Sequence, residues 1–290
     1  MTQTATLIDG RAQAAALRQS LKQACAQLPT PPRLATILVG DDAASQVYVA
    51  NKLKACAEVG ITTQMERLPA TTTADELART IDRLNADPTI NGILLQLPLP
   101  DGLDAQAMIA RLDPAKDVDG LHPLNAGLLA QGQRSGFIPC TPHGCLQLIK
   151  SVRTDLAGLR ALVIGRSVLV GRPMAQLLLQ ENCTVTLAHS HTQDMVALAA
   201  QSDILVAAAG QPSLVQPHWI KPGAIVIDVG ITRTATGVVG DVATSVRNQP
   251  CALTPVPGGV GPMTIANLLA NTLTATCRQT GHPLPVSLQP

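Results

Sequence analysis

Aromatic side chains are almost missing from this chain. Its 290 residues include one Phe (Phe137), one Trp (Trp219) and one Tyr (Tyr48). The core must therefore be aliphatic, and a lone tyrosine needs a reason. Charge is scarce too: 14% of residues are charged, and 21 Lys and Arg against 20 Asp and Glu leave a net +1. No basic stripe or Lys/Arg cluster is present, which excludes a nucleic-acid partner. No apolar run reaches the ~18 residues of a membrane helix, so no membrane partner is expected. The opening stretch MTQTATLIDGRAQ has neither a charged region ahead of an apolar one nor an Arg-rich transit pattern. A soluble cytoplasmic protein is the expectation. The seven cysteines are odd in number, scattered and never spaced as CxxC. That argues against a disulfide framework and against a metal site. Most of them should be small buried hydrophobes or chance surface thiols.

What the chain does have is apolar substance, 46% of its residues. That suffices for one large core or two modest ones. Continuous apolar runs recur at 34–40, 92–100, 161–165, 184–190, 203–210 and 224–231. Runs of this kind, rather than alternating ones, mark strands covered on both faces. Helical segments at 45–59, 74–86, 142–153, 172–181 and 192–201 lie between them. Strand–helix alternation predicts an α/β fold with parallel sheets and right-handed crossovers. The alternation breaks between about 110 and 140, where turn formers and Asp residues gather. We therefore expect a first α/β domain over 1–140 and a second, Rossmann-like and doubly wound, over 141–265. A last helix over about 262–279 should return to the first domain.

The tyrosine lies in ASQVYVANKLKACAEVG, residues 44–60. Ser45 is a candidate N-cap and Gly60 a candidate helix stop. A helix between them would place Ala50, Leu53 and Ala57 on a core-facing stripe. Tyr48 and Lys52 stand at i and i+4, one above the other, while Lys54 faces elsewhere. A surface tyrosine packing on a lysine stem is the plain alternative. Against it, the helix follows an apolar strand directly, and open α/β sheets bind ligands at strand carboxyl ends. A phenol beside an ammonium can share a proton there. GILLQLPLP ends its apolar run at Gln96, before prolines that stop a central strand. In KDVDG, Asp117 and Asp119 flank Val118, so in an extended loop they point opposite ways. One could face a pocket while the other caps a turn.

ALVIGRSVLVGRPMAQLLL (161–179) reads as strand, glycine turn and helix opening. Gly165 ends the strand, Gly171 permits close backbone approach, and Pro173 suits a first helical turn. A helix N-terminus offers N–H groups and a positive dipole to a pyrophosphate. Ser167 stands where a dinucleotide fingerprint has its second glycine, so an ordinary βα turn remains an alternative. The next strand ends LAHSHT, with Ser190 and no carboxylate for a ribose 2′-hydroxyl. Arg166 and Ser190 instead suit a 2′-phosphate, hence NADP. His189 and His191 flank that position, neither reading as a metal ligand. Two further loops converge: the strand end at Gly230-Ile231, and the Pro/Gly stretch 254–269, with Pro262 near the start of its helix.

Seven stretches taken in order resemble one family: ASQVYVANKLKACAEVGI, GILLQLPLP, KDVDGLHPLNAG, PCTPHG, VIGRSVLVGRPMAQLLL, IKPGAIVIDVGI and TPVPGGVGPMTIANLLANT. The chain is similar to the bifunctional methylenetetrahydrofolate dehydrogenases/cyclohydrolases from about residue 7 to 277. The resemblance implies oxidation of 5,10-methylenetetrahydrofolate by NADP, hydrolysis to 10-formyltetrahydrofolate, a homodimer, and a cleft between two α/β domains. It implies that Lys52 is catalytic, with Tyr48 beside the pterin, Gln96 tuning the lysine and Asp119 holding pterin N–H groups. Leu97 and the loop Pro257, Gly258, Gly259, Val260, Gly261 and Pro262 would contact the folate. Gly165, Arg166, Ser167, Ser190 and Ile231 would contact NADP. A catalytically silent NADP-binding scaffold, or another two-domain NADP dehydrogenase, is the rival reading. Neither rival accounts for Tyr48, Lys52, Gln96 and Asp119 together.

Overall fold

A computed structural model describes residues 4–235 and 237–285. The chain opens with β1 (Thr6–Leu7) and α1 (Gly10–Cys25), then β2 (Arg33–Val39), α2 (Ala43–Val59), β3 (Thr62–Leu68), α3 (Ala74–Ala86), β4 (Gly92–Leu95), α4 (Ala105–Ala110) and α5 (Pro123–Ala130). It continues with α6 (Cys140–Val152), β5 (Arg160–Ile164), α7 (Gly171–Gln180), β6 (Thr184–Ala188), α8 (Met195–Ala200) and β7 (Ile204–Ala207). Then come β8 (Ile225–Asp228), the hairpin β9 (Thr232–Thr234) and β10 (Gly237–Val239), β11 (Ala252–Leu253) and α9 (Val260–Thr280). Two compact units result. Ala16–Ile138 groups with the residues from Ile265 on, and Pro139–Thr264 groups with the residues up to Ala15.

The first unit holds a three-stranded parallel sheet in the order β3-β2-β4. β2 is central and buried almost throughout. Ala35, Ile37 and Val39 on β2 and Ile93 and Leu95 on β4 pack against Leu77, Ile81 and Leu84 of α3. Those three helical residues recur at i, i+4 and i+7, one stripe of an α-helix. Thr73 and Glu76 close a reciprocal capping box that fixes where α3 starts. Past α4 the chain returns beside β4, with Ile93 bridging Asp117 in parallel. Val118 packs so closely that any side chain at Gly92 would overlap it.

The second unit holds a six-stranded sheet, β1-β11-β8-β7-β5-β6, parallel at every pairing. The order runs outward from β5 in both directions, which is the doubly wound pattern, with a switch point between β5 and β7. Leu162, Ile164, Leu205, Ala207 and Val226 form its core with Trp219 and Val246. Trp219 is thus structural. So is Phe137 in the other unit, over which the Arg278 guanidinium lies 4.9 Å from the ring centroid. Contrary to the expected grouping of 1–140, the first fifteen residues belong here, because β1 pairs with β11 (Thr6↔Ala252, Leu7↔Leu253). All seven cysteines are free and buried, so none is a surface thiol.

Candidate active site

α2 starts earlier than expected. Asp42, not Ser45, is the N-cap, and its carboxylate accepts from the Ser45 N–H at 2.6 Å. Gly60 stops the helix at φ 86°, a conformation that favours glycine. The core-facing stripe also differs. Ala50 and Ala57 are exposed and Leu53 is half-buried, whereas Ser45, Val49, Lys52, Cys56 and Val59 are buried. The helix is apolar on nearly every side, so hydrophobicity alone could not choose its phase. The consequence is chemical: Lys52 lies on the buried face, 8% exposed.

A buried ammonium needs partners. Lys52 Nζ donates to Gln96 Oε1 at 3.0 Å. Gln96 lies one residue past β4, its N–H bonded to Ile37 O, and its Nε2 donates to Leu97 O at 2.6 Å. That second bond fixes the amide with its oxygen toward the lysine. β2, which leads into α2, and β4 are neighbours in the sheet, so two side chains 44 residues apart meet at its carboxyl edge. Tyr48, half-buried, stands one turn before Lys52.

Asp117 and Asp119 part company as expected, though the loop is turned rather than extended. Val118 N–H donates to Lys116 O at 2.9 Å and Gly120 N–H to Asp117 O at 3.1 Å. Asp117 is buried, and its Oδ2 accepts from His122 N–H at 2.7 Å and Asn125 Nδ2 at 2.8 Å. Burial pushes its pKa up despite those bonds. Asp119 is half-buried. It sits in the turn closed by the Gly120 N–H bond to Asp117 O, two residues past the bridge to β4. Two supports of this loop were not foreseen. Lys116 is buried, with Nζ donating to Leu84 O, Asn85 O and Asp87 O at the end of α3. Asn271 Nδ2 donates to Val118 O and Ile138 O. Nothing local in the sequence distinguishes this lysine from a surface one.

In the other unit, the turn after β5 is packed backbone on backbone. Gly165 has φ 113°, and a Cβ there would overlap Ala208 O. A Cβ at Gly171 would overlap Gly165 O. Ser167 Oγ accepts from the Val170 N–H at 3.1 Å, so the serine tightens the turn in place of a glycine. Ile164 and Ala188 are register partners, and Gly165 N–H donates to Ala188 O at 2.9 Å. Arg166 and Ser190 therefore lie two residues past paired strand ends, both exposed. His189 Nδ1 accepts from the His191 N–H at 3.2 Å, so these histidines shape the turn. Among the described residues no group of His, Cys, Asp or Glu is arranged to hold a metal. Ile231, just past β8, is exposed. In the loop 257–262 Pro257 is exposed and Gly259 buried. A Cβ at Gly10 would overlap Gly259 O, so the start of α1 is packed on this loop. α9 starts at Val260, two residues before the expected start, so Gly261 and Pro262 lie in its first turn.

Two family models cover most of the chain: the tetrahydrofolate dehydrogenase/cyclohydrolase catalytic domain over residues 8–119, and the NAD(P)-binding domain of the same enzymes over 139–280. The chain belongs to the tetrahydrofolate dehydrogenase/cyclohydrolase family. It is 54% identical over 289 residues to bifunctional protein FolD 2 of Paracoccus denitrificans, across 97% of this chain and 95% of that one. The solved bifunctional enzyme FolD, methylenetetrahydrofolate dehydrogenase/cyclohydrolase, of Campylobacter jejuni is 44% identical with a TM-score of 0.92, covering 94% of this chain and 99% of its own. FolD of Trypanosoma brucei, complexed with NADP cofactor and inhibitor, is 41% identical with a TM-score of 0.91, over 96% and 99%.

Within this tetrahydrofolate dehydrogenase/cyclohydrolase, the residues present fit a dinucleotide. The turn 165–171 has no room for a side chain at either glycine, which lets β5, α7 and the segment after β7 pack closely around it. The turn stands at the switch point of the doubly wound sheet, where such folds take a dinucleotide, while the Gly171 and Arg172 N–H groups at the start of α7 are held by Ser167.

Proposed function

We propose that the chain oxidises 5,10-methylenetetrahydrofolate to 5,10-methenyltetrahydrofolate with NADP and then hydrolyses that product to 10-formyltetrahydrofolate. The observation that carries this reading is the Lys52–Gln96 pair, buried at the carboxyl edge of the three-stranded sheet, with Asp119 in the turn two residues past the bridge to β4. NADP, when bound, supplies the hydride acceptor. Lys52 Nζ is placed to move protons in the hydrolytic step. As water adds to the methenyl carbon, one of its protons leaves to solvent. As the bond from that carbon to N5 breaks, Nζ gives a proton to N5 and takes the remaining one from the hydroxyl that becomes the formyl carbonyl. Gln96 Oε1 holds Nζ in place throughout. Asp119 accepts N–H groups of the pterin, and Tyr48 packs beside it, with Leu97 and the loop 257–262 as further folate contacts.

Gly165, Ser167 and Ile231 line the nucleotide, while Arg166 and Ser190 take the 2′-phosphate. Arg166→Ala should therefore lower kcat/KM for NADP by about tenfold, leave NAD nearly unchanged and so narrow the preference between them. Full retention of the preference would move the phosphate site elsewhere. A homodimer is part of the proposal. β6 ends its sheet, with Leu187 exposed, and Leu179 on α7 is 58% exposed, a surface that supports self-association. Sedimentation at several concentrations tests it. No helix of the described residues is long and apolar enough to cross a membrane, and a cytoplasmic site of action is proposed.

The central experiment supplies methylenetetrahydrofolate and NADP and follows methenyl absorbance, then its decay. Rise and decay support both activities. NADP binding without turnover would favour the silent scaffold.

A further inference from the structure

Two buried aspartates at the carboxyl end of the six-stranded sheet take no part in the chemistry above. Asp228 is the last residue of β8, and Asp241 follows the hairpin β9–β10. They are 4% and 0% exposed. Both carboxylates are spent on backbone N–H groups. Asp228 Oδ1 accepts from Gly230 at 3.1 Å and Asp241 at 2.8 Å, and its Oδ2 from Val242 at 3.0 Å. Asp241 Oδ2 accepts from Ala209 at 2.7 Å and Gly210 at 2.8 Å. Asp241 Oδ1 has no donor among the described residues. It presses on Gly230, where any Cβ would overlap it, and a Cβ at Gly240 would overlap Asp228 in the same way.

Burying two neighbouring carboxylates without a cation is costly. Burial above all, with the Asp241 charge adding to it, pushes the Asp228 pKa up to about 6 against the pull of three N–H bonds. Such a cost is kept where the geometry it enforces is used. Here it enforces the course of three loops, 208–210 after β7, 229–231 after β8 and 240–242 after the hairpin. The first follows β7, which pairs with β5 beside the nucleotide turn, and the second follows β8, the other neighbour of β7. The 208–210 loop is the floor of that turn: Ala208 N–H donates to Ile164 O at 2.8 Å, and Ala208 O fills the space beside Gly165. The 229–231 loop ends at Ile231.

We propose that Asp241 and Asp228 are positioning residues for the nicotinamide dinucleotide. Their carboxylates tie the floor under Gly165 and the loop that presents Ile231 into one rigid surface. The inference rests on the NADP reading above. It makes an asymmetric prediction. Only one oxygen of Asp241 is used, so an amide can replace it. Both oxygens of Asp228 are used, so an amide there must turn an N–H donor toward other donors.

The experiment measures NADP binding by calorimetry, the KM for NADP in the dehydrogenase assay, and hydrolysis of methenyltetrahydrofolate without NADP. Wild-type protein comes first. If it binds no NADP, the cofactor reading has failed rather than this inference. Asp241→Ala and Asp228→Asn should then raise the Kd and KM for NADP by roughly tenfold or more, with hydrolysis kept. Asp241→Asn should stay within about threefold of wild type on the same scale. Gly230→Ala, which displaces the Asp241 carboxylate without removing it, should behave like Asp241→Ala and serves if that variant does not fold. Normal NADP binding by Asp241→Ala or by Gly230→Ala would overturn the proposal. So would equal loss of NADP binding and hydrolysis, or an Asp241→Asn as damaged as the alanine.

Discussion

The three-stranded sheet buries a lysine at its carboxyl edge, whereas the six-stranded sheet buries two carboxylates at its own. The difference follows from what a strand end can offer. Loops beyond parallel strands and the first turns of helices present N–H groups, which suit anions. Asp228 and Asp241 take five of them and are held rigid. An ammonium needs oxygen acceptors instead. Lys116 finds three carbonyls at the end of α3 and is fully committed. Lys52 finds one amide oxygen, Gln96 Oε1, and among the described residues its other N–H groups have no hydrogen-bond partner. One buried lysine is therefore a fastening, and the other makes a single side-chain bond, which suits the chemistry proposed for it. In the six-stranded sheet the buried carboxylates hold backbone loops at the strand ends.

The harshest way to break this contrast is to remove the available lysine. Lys52→Met should lose roughly 10²–10⁴-fold in the hydrolytic step, and Lys54→Ala, on an exposed face of α2, should be mild. A crippled Lys54→Ala enzyme with an active Lys52→Met would mean the wrong lysine has been chosen. Next comes Asp119. Its carboxylate can accept two adjacent pterin N–H groups, a charge-assisted pair. Asp119→Ala should abolish folate binding in calorimetry while NADP binding is kept. Asp119→Asn, with a donor facing donors, should be nearly as poor. Equal loss of both ligands would make this carboxylate structural.

Smaller effects sharpen the comparison. Lys116→Met should leave turnover close to wild type yet lower stability by about 1–3 kcal/mol, because it strips donors from buried carbonyls. Thermal melting and kcat measured together would show the split, and lost turnover at unchanged stability would count against a fastening role. The smallest effect concerns pH. The Asp228 pKa is raised from 3.8 to about 6 in the folded chain. Its contribution to stability is thus fullest below 3.8, where the carboxyl is protonated in both states, and is lost as pH rises through about 6. Asp228→Asn cannot titrate. The melting temperature of wild type minus that of the variant should shrink between pH 4 and 7, and a difference that grows would reverse the assigned shift.

Much of the fold was legible. The apolar runs at 34–40, 161–165, 203–210 and 224–231 hold the strands Arg33–Val39, Arg160–Ile164, Ile204–Ala207 and Ile225–Asp228, the last two runs continuing into loops, and the segment 74–86 is the helix Ala74–Ala86. Elements without an apolar signature escaped. β3, TTQMERL, is an edge strand with mostly polar, partly exposed side chains. α1 buries Ala14, Leu21 and Cys25, a stripe with one large apolar residue. The span 110–140, read as loop, contains α5, a short helix that begins at Pro123 with His122 as its cap.

The sequence by itself determined which elements alternate and which residue types stand at strand ends, because hydrophobic period, glycine and proline act within a few neighbours. It also carried the order of motifs that marks the family. Tertiary structure alone decided which face of α2 is buried and hence that Lys52 meets Gln96. It decided that Lys116 is fastened while Lys52 is not, that the first fifteen residues join the six-stranded sheet, and that Asp228 and Asp241 bind three loops together. Each of these depends on strand register and burial among residues distant in the chain, and neither is written in any local stretch.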